Sequence, residues 1–186
     1  MIFIITWSIW FISEIVLNRL LRAGTKDKKD KDKDKGSLGI IWITIGIAIP
    51  LGIVSSIFFN IPISHLQIIP YIGLFIIIAG MILRFISIWS LGKFFTVDVT
   101  IRDNHKIKQD GLYGIIRHPS YTGMLLSFIG LGISINNWIS LLTIGILVTT
   151  AMLYRIKIEE RALKDQFGSE YSNYMKRTYR LIPWIY

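Results

Sequence analysis

Cysteine is absent from this chain, and charged residues are scarce. With no Cys among 186 residues, thiol catalysis, disulfide bonds and Cys-ligated metal sites are excluded. Asp, Glu, Lys and Arg make up 18% of the chain, whereas about 25% is usual in a soluble domain. Hydrophobic residues make up 52%, which leaves too little polar surface to face water. An ordinary soluble enzyme, a disordered tail and a disulfide scaffold are therefore excluded.

The apolar residues are collected into runs that are long enough to cross a bilayer, which takes about 20 residues of helix. The first three candidate spans are residues 1–21, 38–59 and 68–90. A fourth run, residues 121–154, is longer than one span and contains the pair Asn136-Asn137. Because Asn favours turns, we expect two shorter helices that form a hairpin at this pair. One long tilted helix with buried amides is the alternative.

The sequence therefore predicts an all-α integral membrane protein with five transmembrane helices, the last two as a helical hairpin. A cytoplasmic, helical C-terminal region follows them. We divide the chain into residues 1–92, which hold the first three spans and a charged linker at 22–36, and residues 93–186, which hold a polar loop, the hairpin and the tail.

The 21 Lys and Arg residues follow the predicted loops. Eight lie in residues 19–35, six in 84–117 and seven in 155–180, whereas the loop at 60–67 has none. By the positive-inside rule, the N-terminus is outside and the C-terminus is cytoplasmic. Because the basic residues follow loops rather than one face, we expect a lipid bilayer as partner and no nucleic acid.

The linker at residues 26–35 alternates Lys and Asp. Such a segment cannot bury a core, so we expect a solvated linker. A metal-binding or lipid-binding role is the alternative.

A polar segment precedes the predicted hairpin, with the sequence GLYGIIRHPSYTG at residues 111–123. Pro119 is suited to the first turn of a helix, so Arg117 and His118 are expected at the mouth of the fourth helix. The free N–H groups there favour anions. The alternative is a basic anchor with Tyr113 and Tyr121 in an interfacial aromatic belt.

A second polar segment follows the hairpin and begins with Arg155, Glu159 and Glu160. Arg155 and Glu159 are four residues apart and share a helix face. The alternative is a surface ion pair, worth less than about 1 kcal/mol. Because a hairpin brings its two ends together, we expect one polar cluster at the cytoplasmic face, built from both segments.

These segments resemble the isoprenylcysteine carboxyl methyltransferase family, integral membrane enzymes that use S-adenosylmethionine. The matching parts are HKIKQDGLYGIIRHPSYTG at residues 105–123 and RIKIEERALKDQFGSEYSNYMKRTYRLIP at residues 155–183. The RHPSY core, the double Glu and the FGSEY segment occur in the family's order. The N-terminal half is similar only as hydrophobic helices.

The resemblance implies a site for S-adenosyl-L-methionine, which leaves as S-adenosyl-L-homocysteine, and no metal. The residues that it places around the cofactor are His105, Lys106, Ile107, Lys108, Tyr113, His118, Pro119, Ser120 and Tyr121. Glu159 is similar to the acidic residue that contacts the cofactor, and Arg155 to the catalytic, substrate-binding arginine. Asp98 lies where the animal enzymes of the family place a polar residue that contacts the cofactor. Residues 93–186 are then the catalytic region.

The implied reaction is methyl transfer to a lipid-like carboxylate, such as the C-terminal carboxylate of a prenylated cysteine, which enters from the membrane. A carboxylate is already ionised at neutral pH and needs no general base. The alternative is another membrane-soluble acceptor, a phospholipid amine or a small hydrophobic molecule, and an amine would need a base such as His118. A non-catalytic membrane protein, either a topology anchor or a degenerate relative of sterol reductases, is the third hypothesis.

Overall fold

A computed structural model of the protein describes residues 1–21, 34, 36–92, 95 and 107–184. Helices are the regular secondary structure of these ranges. The α-helices are α1 (Ile2–Leu20), α2 (Ser37–Phe58), α3 (Ile69–Leu91), α4 (Pro119–Ser134), α5 (Trp138–Phe167) and α6 (Ser169–Arg177). A 3₁₀ helix, Gly111–Gly114, precedes α4. No strand forms within these ranges, where a single parallel bridge joins Ile116 to Tyr179.

Four of the helices, α1, α2, α3 and α5, are long and apolar enough to cross a membrane. Helix α4 has 16 residues, so it is about 24 Å long, whereas the hydrocarbon core of a bilayer is about 30 Å thick. Along the apolar stretches of the four long helices, the side chains that point away from the bundle are mostly apolar, as a lipid-facing surface requires. Exposed examples are Ile43, Ile57, Phe75, Ile82 and Ile146.

Helices α4 and α5 are separated at Asn136 and Asn137, so residues 121–154 do not form one long helix. Asn136 has a φ of 55°, in the left-handed region that Asn tolerates. The Asn137 side chain caps α5, because its Oδ1 accepts hydrogen bonds from the backbone N–H groups of Ile139 and Ser140 at 3.0 and 3.1 Å. The local chemistry of Asn therefore ends one helix and starts the next.

The turn between α4 and α5 is bonded to the connection between α2 and α3. Asn136 Nδ2 donates to the Ser64 carbonyl at 2.9 Å, and the Trp138 N–H donates to the Ile61 carbonyl at 3.0 Å. Asn137 Nδ2 donates to the Phe59 carbonyl. The two connections thus lie at the same end of the bundle, as alternating helices require.

Helices α3 and α4 cross at two pairs of glycines, which we name the glycine seam: Gly73 with Gly130, and Gly80 with Gly123. A Cβ atom built on Gly80 would lie 2.5 Å from the Gly123 carbonyl oxygen, and one on Gly130 would lie 2.7 Å from the Gly73 carbonyl oxygen. The backbones therefore touch directly, which is how small residues drive association of membrane helices. The seam fixes the start of α4 against α3.

The remaining core joins α1, α2 and α5 to this pair. Trp10 of α1 packs edge-on against Phe128 of α4, with ring centroids 4.9 Å apart. Ile144 of α5 is fully buried and lies over Gly52 of α2. Trp10, Phe128 and Ile144 belong to one continuous core.

Candidate functional site

A polar cluster lies at the end of the bundle opposite the Asn136-Asn137 turn, where the second half of α5 meets the start of α4. Helix α5 continues through Arg155, Glu159 and Glu160 before it ends at Phe167. Residues four apart lie on one face of a helix, so Arg155 and Glu159 both face the start of α4. The hydroxyl of Tyr121, in the first turn of α4, lies between them.

Arg155 is buried, with 3% of its side chain exposed. Its Nη1 atom donates to Asp34 Oδ1 at 2.8 Å and to Ser37 Oγ at 2.7 Å. Its Nε atom donates to the Tyr121 hydroxyl at 2.8 Å. A guanidinium needs such partners, since a buried charge without them is costly.

Glu159 keeps 30% of its side chain exposed. Its Oε2 atom accepts a hydrogen bond from the Tyr121 hydroxyl at 3.0 Å, and His118 Nδ1 lies 3.9 Å from Oε1. Within the described part of the chain, no Lys or Arg forms an ion pair with Glu159. Its carboxylate therefore has acceptor capacity for a further cation.

Glu160, the next residue, is enclosed by cations and has 7% of its side chain exposed. Its Oε1 atom accepts from Arg117 Nε at 3.0 Å and from Arg180 Nε at 3.1 Å. Its Oε2 atom accepts from Arg180 Nη2 at 2.8 Å, and His118 Nε2 lies 3.4 Å from Oε1. Glu160 therefore joins the tail to the start of α4, and its oxygens are occupied.

The start of α4 is held in place by backbone hydrogen bonds to the C-terminal tail that follows α6. Pro119 is the first residue of α4, and Arg117 and His118 stand at its mouth, as the sequence predicts. The Arg117 N–H donates to the Tyr179 carbonyl at 2.8 Å, and the His118 N–H donates to the Arg180 carbonyl at 3.2 Å. This short backbone ladder brings Arg180 to Glu160.

Two tyrosines hold the segment before α4 in place through hydrogen bonds. Tyr113 is buried and its hydroxyl donates to the Ser87 carbonyl at 3.2 Å, while the Tyr174 hydroxyl donates to the Tyr113 carbonyl at 2.7 Å. Burial raises the pKa of Tyr174 to about 12 and also raises the pKa of Tyr113. Both phenols therefore stay neutral donors at neutral pH.

The structure brings together Arg155, Glu159, His118 and Tyr121 from the residues that the resemblance singled out. Ile107 and Lys108 are half-buried, and the hydrogen bond from Lys108 to Asp110 lowers the pKa of Asp110. Tyr113 lies on the 3₁₀ helix. His105, Lys106 and Asp98 lie outside the described residues.

One buried ion pair supports the site from within the bundle, and the sequence analysis did not single it out. Glu14 Oε1 of α1 lies 2.8 Å from Arg84 Nε of α3, and Arg84 Nη1 donates to Ser120 Oγ at 2.9 Å. Ser120 is therefore bonded to α3 through its side chain. In a sequence, a single charged residue inside each of two apolar spans indicates a buried ion pair of this kind.

Asp34 and Ser37 are the other polar residues that the sequence analysis did not place at the site. Asp34 is buried, so the expectation of a solvated linker is wrong at this described position. Its Oδ2 atom accepts from the Leu38 N–H at 3.3 Å, so Asp34 bonds a backbone donor in the first turn of α2, whose N-cap residue is Gly36.

The fold and this cluster define a multi-pass helical membrane protein with a polar site at one end of its bundle. A sequence model of the isoprenylcysteine carboxyl methyltransferase (ICMT) family matches residues 71–165, and the chain belongs to that family.

Individual proteins show the same similarity. Protein-S-isoprenylcysteine O-methyltransferase B of Arabidopsis thaliana is 37% identical over 115 residues, which cover 61% of this chain and 58% of the relative. Methanethiol S-methyltransferase 1 of Bradyrhizobium diazoefficiens is 32% identical over 121 residues, which cover 57% and 39%. The solved structure of the eukaryotic intramembrane Ras methyltransferase ICMT matches with a TM-score of 0.61 and 28% identity, over 77% of this chain and 52% of that chain. The chain thus spans less than two thirds of the length of these proteins.

Proposed function

We propose that the protein is a membrane methyltransferase that moves a methyl group from S-adenosylmethionine to a lipid-like carboxylate, such as that of a prenylated cysteine. The observation that carries the proposal is the placement of two opposite charges, on Arg155 and Glu159, one helical turn apart on the same face of α5. Arg155 is a buried cation suited to an anionic acceptor, and Glu159 is a half-exposed anion suited to a cationic donor. The names of the similar proteins point to the same chemistry.

The residues at the site fit this cofactor by their chemistry. S-adenosylmethionine carries an ammonium, a carboxylate and a sulfonium, and it supplies an electrophilic methyl group when bound. Glu159 has the acceptor capacity to hold the ammonium in a charge-assisted contact. His118 and the first turn of α4 offer donors for the carboxylate or the adenosine. Ile107, Lys108, Tyr113, Pro119, Ser120 and Tyr121 complete the proposed cofactor set, with His105 and Lys106.

The transfer forms one C–O bond and breaks one C–S bond, with the bonding pair leaving on sulfur, and no proton moves. The acceptor carboxylate is already ionised, so the site needs no general base. Arg155 is suited to hold that carboxylate because a guanidinium does not deprotonate in a protein. The Tyr121 hydroxyl bonds both Arg155 and Glu159, so it sets the acceptor and the cofactor groups relative to each other.

The same proposal assigns the membrane placement. Helix α4 is the fourth of five spans and forms the hairpin with α5, the N-terminus is outside, and the site lies at the cytoplasmic face. The connection between α2 and α3 lies at the same end of the bundle as the connection between α4 and α5. This shared end supports the proposed alternation of the spans across the membrane. The acceptor's lipid tail enters sideways from the bilayer and the cofactor enters from the cytoplasm.

A smaller or neutral acceptor is the second candidate. Two observations favour it: Arg155 already holds the carboxylate of Asp34, and one similar protein is named for methanethiol, a small uncharged thiol. Supplying methanethiol beside S-farnesylcysteine in one methylation assay separates the two candidates.

The first experiment is calorimetric binding of S-adenosylhomocysteine to the purified protein and to Glu159→Gln. We expect micromolar binding to the wild type and a loss of about tenfold or more in Glu159→Gln, since a contact to a charged group is removed. Glu170→Gln is the matched control, because Glu170 is exposed on α6. A wild type that binds no S-adenosylhomocysteine in detergent or lipid would overturn the enzyme proposal.

A further inference from the structure

The carboxylate of Asp34 is bonded to Arg155, the residue to which the proposed function assigns the acceptor carboxylate. We propose that Asp34 is a specificity-determining residue, which competes with the acceptor carboxylate for the one guanidinium of Arg155. This inference rests on the proposed function, because it concerns the acceptor side of that site. It assigns a role to the end of the Lys/Asp linker that the sequence alone left open.

Three side chains form the contact. Arg155 Nη1 reaches Asp34 Oδ1 at 2.8 Å and Ser37 Oγ at 2.7 Å, and the Ser37 hydroxyl donates to Asp34 Oδ1 at 3.2 Å. The Leu38 N–H holds the other oxygen of Asp34. The first turn of α2 therefore presents this carboxylate to Arg155.

The charges of Arg155 and Asp34 determine which acceptors can bind beside them. Arg155 and Asp34 are both buried, with 3% and 12% of their side chains exposed. Two carboxylates crowded on one buried guanidinium repel each other, since like charges interact strongly where water is excluded. An acidic acceptor must therefore displace Asp34, whereas a neutral acceptor meets no such competition.

The competition selects among carboxylates. A small free carboxylate brings no other binding energy and loses to Asp34, which is tethered to α2 and so acts at high effective concentration. A carboxylate with a long apolar tail also gains from burying that tail, which supports the exchange. Asp34 thus favours lipid-tailed acids over the small acids of the cytoplasm.

The test is Asp34→Asn, which removes the charge and keeps an oxygen acceptor for the Leu38 N–H. With N-acetyl-S-farnesylcysteine as acceptor, we expect the KM of the variant to fall about tenfold, with kcat and S-adenosylhomocysteine affinity kept. Asp165→Asn is the matched control, because Asp165 is exposed on α5. An unchanged or higher KM would overturn the inference, and a purely structural role predicts that result with a lower melting temperature.

A binding measurement keeps the inference testable without turnover. Calorimetry should show tighter binding of N-acetyl-S-farnesylcysteine to Asp34→Asn than to the wild type, and equal binding of its methyl ester to both proteins. When Arg155→Ala is also present, Asp34→Asn should no longer increase the affinity for N-acetyl-S-farnesylcysteine. This double variant separates competition for Arg155 from a general charge effect. Tighter acid binding without any methylation would sink the proposed function and leave this inference standing. Acid binding that is equal in both proteins, or absent from both, would sink the inference.

Discussion

Glu159 and Glu160 are neighbours in the chain, yet α5 turns them toward different surroundings. Adjacent positions on a helix point about 100° apart. Glu160 therefore meets Arg117 and Arg180, while Glu159 meets the Tyr121 hydroxyl and keeps part of its surface open. Two identical side chains thus have different partners, and the proposed function gives them separable roles, Glu160 in stability and Glu159 in binding.

We predict that Glu160→Gln destabilises the protein, because it leaves Arg117 buried without a counter-ion. Breaking a buried pair by removing one partner costs about 3 kcal/mol, so the melting temperature in detergent should fall clearly. Glu159→Gln should melt close to the wild type, since no Lys or Arg in the described part of the chain forms an ion pair with Glu159. If both variants melt together, the division of roles between the two residues is wrong.

The sequence could predict this cluster only in part. The RHPSY core and the double Glu are visible in the chain, and they led to His118, Tyr121, Arg155 and Glu159. Which of the two glutamates is enclosed depends on Arg180, and the position of Arg180 depends on backbone pairing of the tail. Side-chain contacts between distant segments of this kind leave no local pattern in a sequence.

At the scale of helices, we predict that a Gly→Ala change costs much more stability inside the glycine seam than at a glycine outside it. Gly80→Ala should lower the free energy of unfolding by about 2 kcal/mol, since its Cβ would press on the backbone and overpacking cannot relax there. The matched control is Gly145→Ala on α5, where a Cβ meets nothing within 4 Å, and Ala is the better helix former. Thermal denaturation of the two variants in detergent measures the difference, and equal melting would show that the seam tolerates separation.

Helix positions were more predictable than helix contacts. The apolar runs at 1–21, 38–59 and 68–90 agree closely with α1, α2 and α3, because bilayer thickness sets the length of such runs. The break at Asn136-Asn137 follows from Asn chemistry. The seam was not predicted, since glycines also occur at positions such as Gly145 that touch no other helix.

The two ends of the molecule differ in charge, since one carries Lys and Arg residues and the connection at residues 60–67 carries none, and the lack of Cys makes the orientation directly measurable. We predict that Gln67→Cys is labelled by a membrane-impermeant maleimide on intact cells, because residues 60–67 carry no Lys or Arg. Lys176→Cys should be labelled only after the membrane is permeabilised. Both positions are exposed, so accessibility within the protein does not bias the comparison, and reversed labelling would invert the proposed topology.

The residues that form ion pairs with Glu160 are synthesised one after another. Arg117 precedes Glu160 by 43 residues, and Arg180 follows it by 20, so a ribosome releases the three side chains one after another. When Glu160 is synthesised, Arg117 is already part of the chain and Arg180 is not. A nascent chain stalled before residue 180 would therefore carry all the long helices without the finished site.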